Sequence, residues 1–102
     1  MTASPAEAWF AEHTVEAPEA LRQRAEHFFV RADEVDLAER LAGAGRAALV
    51  QAVREDGGRA AALDLLAADA LITLALLRVA ESTPGQLGPA AASLRSRAAS
   101  TP

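Results

Sequence analysis

The chain contains no cysteine, lysine, asparagine or tyrosine among its 102 residues. The lack of cysteine excludes disulfide bonds, thiolate metal ligands and a cysteine nucleophile. All ten basic residues are arginine, and they are outnumbered by acidic residues, so that the net charge is −4. An acidic chain of this kind lacks the excess positive charge that typifies proteins bound to nucleic acid or to anionic membranes. We therefore expect neither partner.

Signals for β-structure and for export are also scarce. No segment alternates apolar and polar residues in the way of a half-buried strand, whereas the abundant alanine, leucine, glutamate and arginine favour helix. The length suits one small domain. The N-terminal segment has neither the positive region nor the apolar stretch of a signal peptide. These features predict an all-α, cytoplasmic protein, and the alanine- and arginine-rich composition indicates a GC-rich bacterial genome.

Two short signals place the first helices. Ser4 and Glu7 form a capping box around Pro5, a residue suited to the first turn, and predict a short helix through about Glu12. The next helix is predicted to run over residues 18 to 32, beginning at a proline. Its apolar residues fall on one stripe about 100° wide, as expected of a helix that packs on a core.

Two longer helices follow, separated by a clear break. Asp36 and Glu39 form a possible cap for a third helix through about Arg54. Residues 55 to 58, Glu-Asp-Gly-Gly, end that helix and form a turn, so the third helix and the fourth, over residues 59 to 81, should make a tight antiparallel hairpin.

The resulting fold is a small bundle of four main helices, the first of them short. We assign residues 1–83 to this bundle. Residues 84–102 are predicted to be a weakly ordered extension with a possible short helix over 89 to 98. Because the fourth helix is apolar over more surface than one neighbouring hairpin can cover, it needs either a bundle that wraps around it or a second copy of the protein, and we expect homo-oligomerisation to complete the bundle.

Residues 60 to 80 are the most informative segment, because their apolar residues run almost around the whole helix. The length would suit a membrane span. However, Asp64 and Asp69 together cancel most of the favourable insertion energy of the leucine, isoleucine and valine residues. We therefore predict a helix buried in protein rather than one that spans a membrane.

One polar stripe of this helix suggests a contact between two copies. Asp64 and Arg78 each lie seven residues from Leu71, so an antiparallel pair of helices crossing at Leu71 would set the aspartate of one chain against the arginine of the other. The interface residues would be Asp64, Ala68, Leu71, Ala75 and Arg78. The same stripe would equally suit a solvated face.

The opposite stripe carries Asp69 and Thr73, which would point into the bundle if the first stripe is solvated. A buried aspartate needs a partner, and buried polar residues of this kind are candidates for functional sites. Asp69 and Thr73 are thus the candidate buried polar residues. A structural role for Asp69, capping a neighbouring helix or pairing with an arginine, is the commoner arrangement.

The chain offers no catalytic or cofactor motif. It has two histidines but no Glu-x-x-His pair, which carboxylate-bridged metal sites in helical bundles use, and no glycine-rich phosphate loop. Arg24, His27 and Arg31 form a small basic ridge, which lacks interleaved aromatic residues and is interpreted as a solvated face. We identify no catalytic, cofactor-binding or metal-binding residue.

Taken together, these patterns favour a non-enzymatic helical interaction or scaffold module that acts as a small homo-oligomer, with a dimer favoured and an unidentified protein partner as a further possibility. The alternative is a helical protein that binds an apolar small molecule, enclosed by the aromatic residues of the first two helices and the fourth helix. A small enzyme or metal protein that uses Asp69 is the weakest of the three interpretations.

Overall fold

A computed structural model describes residues 3–82 and 87–99. Within these residues the regular secondary structure is all helical, with no strand, which confirms the all-α prediction. The helices are α1 (Pro5–His13), α2 (Glu19–Arg31), α3 (Leu37–Arg54), α4 (Gly58–Ser82) and α5 (Leu87–Ala99). The described residues therefore form five helices, where the sequence indicated four main helices and a possible fifth.

The predicted caps are present at the starts of α1 and α3. The backbone N–H of Glu7 donates to Oγ of Ser4 at 3.1 Å, and the N–H of Ser4 donates to Oε1 of Glu7 at 3.4 Å. At α3 the N–H of Glu39 donates to Oδ2 of Asp36 at 3.0 Å. Each bond satisfies a backbone donor that the first helical turn would otherwise leave free, so these residues set where the two helices begin.

The turn between α3 and α4 depends on two glycines. Gly57 and Gly58 have φ angles of 82° and 84°, in the left-handed region that costs glycine little. This conformation reverses the chain within a few residues, and α3 and α4 then pack against each other along their lengths. The predicted hairpin is confirmed.

Small residues bring α3 and α4 close together. Ala44 and Ala48 are fully buried, and Gly45 faces α4 so closely that an added Cβ would lie 2.8 Å from Cγ1 of Ile72 and 3.3 Å from the carbonyl oxygen of Ala68. Gly45 is therefore a packing residue in the middle of a helix, where glycine is otherwise unfavourable by about 0.5–1 kcal/mol relative to alanine.

The two N-terminal helices complete the core with aromatic rings. The rings of Phe10 and Phe29 stack with their centroids 4.4 Å apart, and both residues are almost fully buried beside Leu41 and Leu71. Arg40 covers the outer side of Phe29, with its guanidinium 4.0 Å from the ring centroid and its Nε donating to the carbonyl oxygen of Phe29 at 3.0 Å. These contacts attach α1 and α2 to the hairpin.

The C-terminal helix α5 is longer than the sequence suggested and packs on both α3 and α4. Leu94 is partly buried against the main core. Of the segment assigned as a weakly ordered extension, 84–102, only residues 87–99 lie within the described part of the chain.

The 25-residue α4 is long and apolar enough to cross a membrane by length and composition alone. The core helix of a globular protein meets the same criteria. Only 39 % of its most apolar 18-residue stretch is buried inside the bundle. Much of the apolar surface of α4 is thus left uncovered by the other described residues.

Candidate functional site

The most deeply buried charge among the described residues is Asp64, in the first half of α4. Its side chain is inaccessible to solvent, and both carboxylate oxygens accept hydrogen bonds from Arg24 of α2. Nε of Arg24 donates to Oδ1, and Nη2 donates to Oδ2 at 3.2 Å. This two-pronged ion pair supplies the partner that a buried carboxylate requires.

The ion pair fixes the protonation states of both residues. The hydrogen bond from Arg24 holds the pKa of Asp64 below its ordinary value, against the opposing effect of burial. The same hydrogen bond raises the pKa of Arg24. Because Asp64 is inaccessible to solvent and both of its oxygens are bonded to Arg24, a substrate in solution cannot reach it. The pair instead ties α2 to α4.

Around this pair lie further polar groups. His27 is half-buried, with Nη1 of Arg31 3.0 Å from its Nδ1 and the ring of Phe28 in edge contact at 5.0 Å. Burial lowers the pKa of His27, and the positive charges of Arg31 and Arg24 lower it further. His27 and Arg24 were expected on a solvated ridge, but in the structure both are partly buried.

Glu55, at the end of α3, has one carboxylate oxygen, Oε2, that is buried and without a hydrogen-bond partner, while its Oε1 accepts from Nε2 of Gln51 at 3.3 Å. Its charge contributes to the raised pKa of Arg24. Among the described residues, no group of three histidine or acidic side chains is placed to hold a metal ion.

The first predicted stripe of α4 lies inside the chain's own bundle. Ala68, Leu71 and Ala75 are buried in the core together with Asp64. The interpretation of this stripe as a contact between two copies is therefore corrected: its surface is already covered by α2 and α3, and its aspartate is already paired with Arg24.

Arg78, the fifth residue of that stripe, also makes its contacts within the chain. Its Nη1 lies 3.9 Å from Oε1 of Glu81, and its guanidinium lies 5.9 Å from the centroid of the Trp9 ring. Nε1 of Trp9 donates to the same Glu81 oxygen at 3.2 Å. These residues join α1 to the end of α4.

Asp69 and Thr73 lie on the opposite side of α4 and are exposed. The prediction that they point into the bundle is wrong, because the other stripe fills the core and leaves this one facing outward. From the sequence, either polar stripe of α4 could have been the buried one.

The pairing of Arg24 with Asp64 was not predicted. The available signal was the position of Arg24 one turn before Phe28, at the edge of the apolar stripe of α2.

Asp69 and Thr73 are surrounded by exposed leucines. We call the outward side of α4 the outer face. Leu65 and Leu66 are 50 % and 56 % exposed, and Leu77 is 39 % exposed. The complete outer face consists of Ala62, Leu65, Leu66, Asp69, Thr73, Leu76, Leu77 and Ala80, all exposed or partly exposed. A contiguous apolar surface of this kind on a single helix is typical of an interaction site.

Two grooves lie elsewhere on the surface. A groove of about 590 Å³ lies where the start of α3, the end of α4 and α5 meet, and it is lined by the apolar Val79 and Leu94 and by charged residues of both signs, Asp36, Glu39, Arg78 and Arg97. Another, of about 550 Å³, lies between α2 and α3 and is lined by His27 together with Arg31, Arg46 and Arg54 and the acidic Asp33 and Glu34. Phe10 and Phe29, expected around an apolar ligand, pack against each other in the core instead.

No protein-family model, curated protein or solved structure matches the chain.

Proposed function

We propose that the protein is a non-enzymatic helical interaction module that forms a small homo-oligomer, with the outer face of α4 as its contact surface. The observation that carries this proposal is the group of exposed leucines on that face, Leu65, Leu66 and Leu77, with the partly exposed Leu76 beside them. These four side chains lie on one side of one helix, so a flat or helical partner could cover them together.

The polar residues of the chain support a contact role rather than a chemical one. The only fully buried carboxylate among the described residues, Asp64, has both oxygens bonded to Arg24. Asp69, the residue considered for catalysis, is exposed and lies among leucines. A single polar residue in an apolar helix-pairing surface specifies the alignment of the two helices at a cost in stability.

The proposal is tested by sedimentation velocity of the wild-type protein and of a Leu66→Glu variant. We expect the wild type to sediment as a dimer or another small oligomer and the variant as a monomer. Val30→Glu is the matched control, because Val30 is 51 % exposed on α2 and its substitution should leave the oligomer intact. A wild type that stays monomeric at all accessible concentrations would refute the proposal.

The second candidate is binding of a small apolar molecule, favoured by the groove between α3, α4 and α5. Its volume of about 590 Å³ falls within the range of roughly 300–1,000 Å³ that small-molecule sites occupy. Its apolar walls, which include Val79 and Leu94, suit an apolar ligand.

A long-chain carboxylate such as dodecanoate is a suitable probe for this candidate. Trp9 lies beside Arg78, so ligand that enters the groove should change tryptophan fluorescence in a saturable way. Leu94→Arg should abolish the change, whereas Val30→Glu should not. A response that persists in Leu94→Arg would assign the binding to another surface.

We also propose a cytoplasmic location and a bacterial origin, and the support for both is the sequence composition. A membrane is the competing partner for the outer face. Flotation of the wild-type protein with anionic and neutral phospholipid vesicles separates the two, because a protein that uses this face for self-association should remain unbound.

A further inference from the structure

The exposed leucines of α4 are arranged symmetrically about the middle of the helix. Residues 65 to 77 read LLAADALITLALL, and three of the six pairs of positions equidistant from Leu71 are identical. Leu65 corresponds to Leu77, and Leu66 corresponds to Leu76. The innermost outer-face positions, Asp69 and Thr73, are not identical. The carboxylate of Asp69 can accept a hydrogen bond, and the hydroxyl of Thr73 can donate one.

The outer face also has the spacing of a helix-pairing seam. Along α4 its central residues are Ala62, Leu66, Asp69, Thr73, Leu76 and Ala80, with successive separations of four, three, four, three and four residues. This alternation is the heptad pattern by which two helices pack along their lengths. All six side chains are exposed or partly exposed within the single chain, so the seam is available to a partner.

We infer that the outer face of α4 pairs with the outer face of α4 from a second copy, antiparallel, about a two-fold axis at the level of Leu71. This inference rests on the proposed function and specifies its geometry. Leu66 then meets Leu76 of the partner subunit, while Leu65 and Leu77 lie on opposite flanks of the seam and extend the apolar contact on either side of it. Each contact occurs twice, as a two-fold interface requires.

The central polar layer selects this orientation. In the antiparallel pairing the carboxylate of Asp69 accepts a hydrogen bond from the hydroxyl of Thr73 of the partner subunit, and the reciprocal bond forms across the axis. A parallel pairing in register would instead set Asp69 against Asp69 of the partner subunit, and like charges in contact repel. Two copies can therefore satisfy the donor and the acceptor only when the helices run in opposite directions.

The same layer selects the register. A slip of one heptad would set Asp69 against Ala80 of the partner subunit and Thr73 against Leu76 of the partner subunit. Both polar groups would then lose their partners, and an unpaired polar group at a dry interface is unfavourable. A single polar layer in an otherwise apolar seam lowers stability but specifies one alignment.

Cysteine cross-linking tests the geometry directly, since the chain contains no cysteine of its own. Two variants, Leu66→Cys and Leu76→Cys, are oxidised separately and as a mixture, with one of them carrying a mass label. A disulfide needs Cα atoms roughly 4.4–6.8 Å apart. In the antiparallel pairing the two copies of position 66 are separated by ten residues along the helix axis, about 15 Å.

We therefore expect a disulfide-linked dimer in the mixture, containing one labelled and one unlabelled chain, and little cross-linking of either variant alone. Self-cross-linking of Leu66→Cys would indicate a parallel pair and overturn the inference. A protein that sediments as a dimer without cross-linking in the mixture would also overturn the inference, while leaving the proposed function intact. A monomeric wild type would refute both.

The hydrogen bond at the centre has its own test. Thr73→Asp sets two carboxylates against each other in each half of the layer, so the dissociation constant of the dimer should rise at least about a hundredfold. The exchange variant Asp69→Thr/Thr73→Asp restores one donor and one acceptor and should return the dissociation constant close to that of the wild type. Equal affinity of Thr73→Asp and the wild type would overturn the inference, and circular dichroism of each variant checks that the helices are retained.

Discussion

Arg24 and Asp64, forty residues apart in the chain, form a two-pronged ion pair between α2 and α4 whose carboxylate is inaccessible to solvent. The arginine side chain keeps 30 % of its surface exposed, whereas the aspartate keeps 1 %. Removal of Arg24 would therefore leave a buried charge without a partner, whereas removal of Asp64 would leave an arginine that is still in contact with water.

This asymmetry predicts unequal effects of the two single substitutions. Arg24→Met leaves a buried carboxylate without its partner and should lower the free energy of unfolding by about 3–5 kcal/mol. Asp64→Ala leaves an arginine that can reach water and should lower it by only about 1–3 kcal/mol. Urea unfolding of the two variants and of the double variant would measure both effects and their coupling. Additive effects in the double variant would show that the pair contributes no interaction energy.

The same pair predicts a loss of stability in acid. Because the pKa of Asp64 in the folded chain lies below its ordinary value of 3.8, the unfolded chain binds a proton first as the pH falls. The contribution of this carboxyl is therefore complete above about pH 4 and is lost as the pH falls through the folded-state pKa. Urea unfolding between pH 2 and pH 7 should show a steeper acid loss for the wild type than for Asp64→Asn. Parallel pH profiles would contradict the prediction.

His27 provides a second, independent titration. Its pKa is lowered by burial and then by the positive charges of Arg31 and Arg24. We expect Arg31→Gln to raise the pKa of His27 toward its ordinary value, because it removes the guanidinium 3.0 Å from Nδ1. A titration of the imidazole proton resonances by NMR measures the shift, and Arg95→Gln, in the distant α5, is the control. An unchanged pKa in Arg31→Gln would show that the charge of Arg31 does not contribute to the lowered pKa of His27.

Two glycines in α3 should respond in opposite ways to alanine. A Cβ at Gly45 would meet Ile72 and the backbone of Ala68, so Gly45→Ala should destabilise the fold by about 1–3 kcal/mol. A Cβ at Gly43 would meet only the end of the flexible Glu34 side chain. Gly43→Ala should therefore be neutral or stabilise the fold by up to about 1 kcal/mol. Thermal unfolding of the pair tests this, and equal melting temperatures would contradict it.

Local signals predicted the helices well, because each depends on a few neighbouring residues. Capping by Ser4 and Asp36 and the turn at residues 55 to 58 placed the observed boundaries to within a residue or two. The extent of α5 was less clear from the sequence, because its few apolar side chains do not reveal that α3 and α4 offer them a surface.

The orientation of α4 could not be predicted in the same way. Both of its polar stripes carry an aspartate, and the choice between them depends on which one meets a cation from another helix. Arg24 meets Asp64, and no described arginine forms an ion pair with Asp69. This is a tertiary contact between residues forty positions apart. It therefore cannot be predicted from the helical period or the composition of α4.

The abundance of alanine in the core affects how the fold would respond to mutation. Nine of the fourteen buried apolar residues identified in the described chain are alanine. An alanine scan would leave these positions untouched and would report on only a few side chains, such as Phe29 and Leu41. A scan with leucine or methionine would instead enlarge the closest helix contacts, and it would show which parts of this bundle leave no space for an additional methyl group.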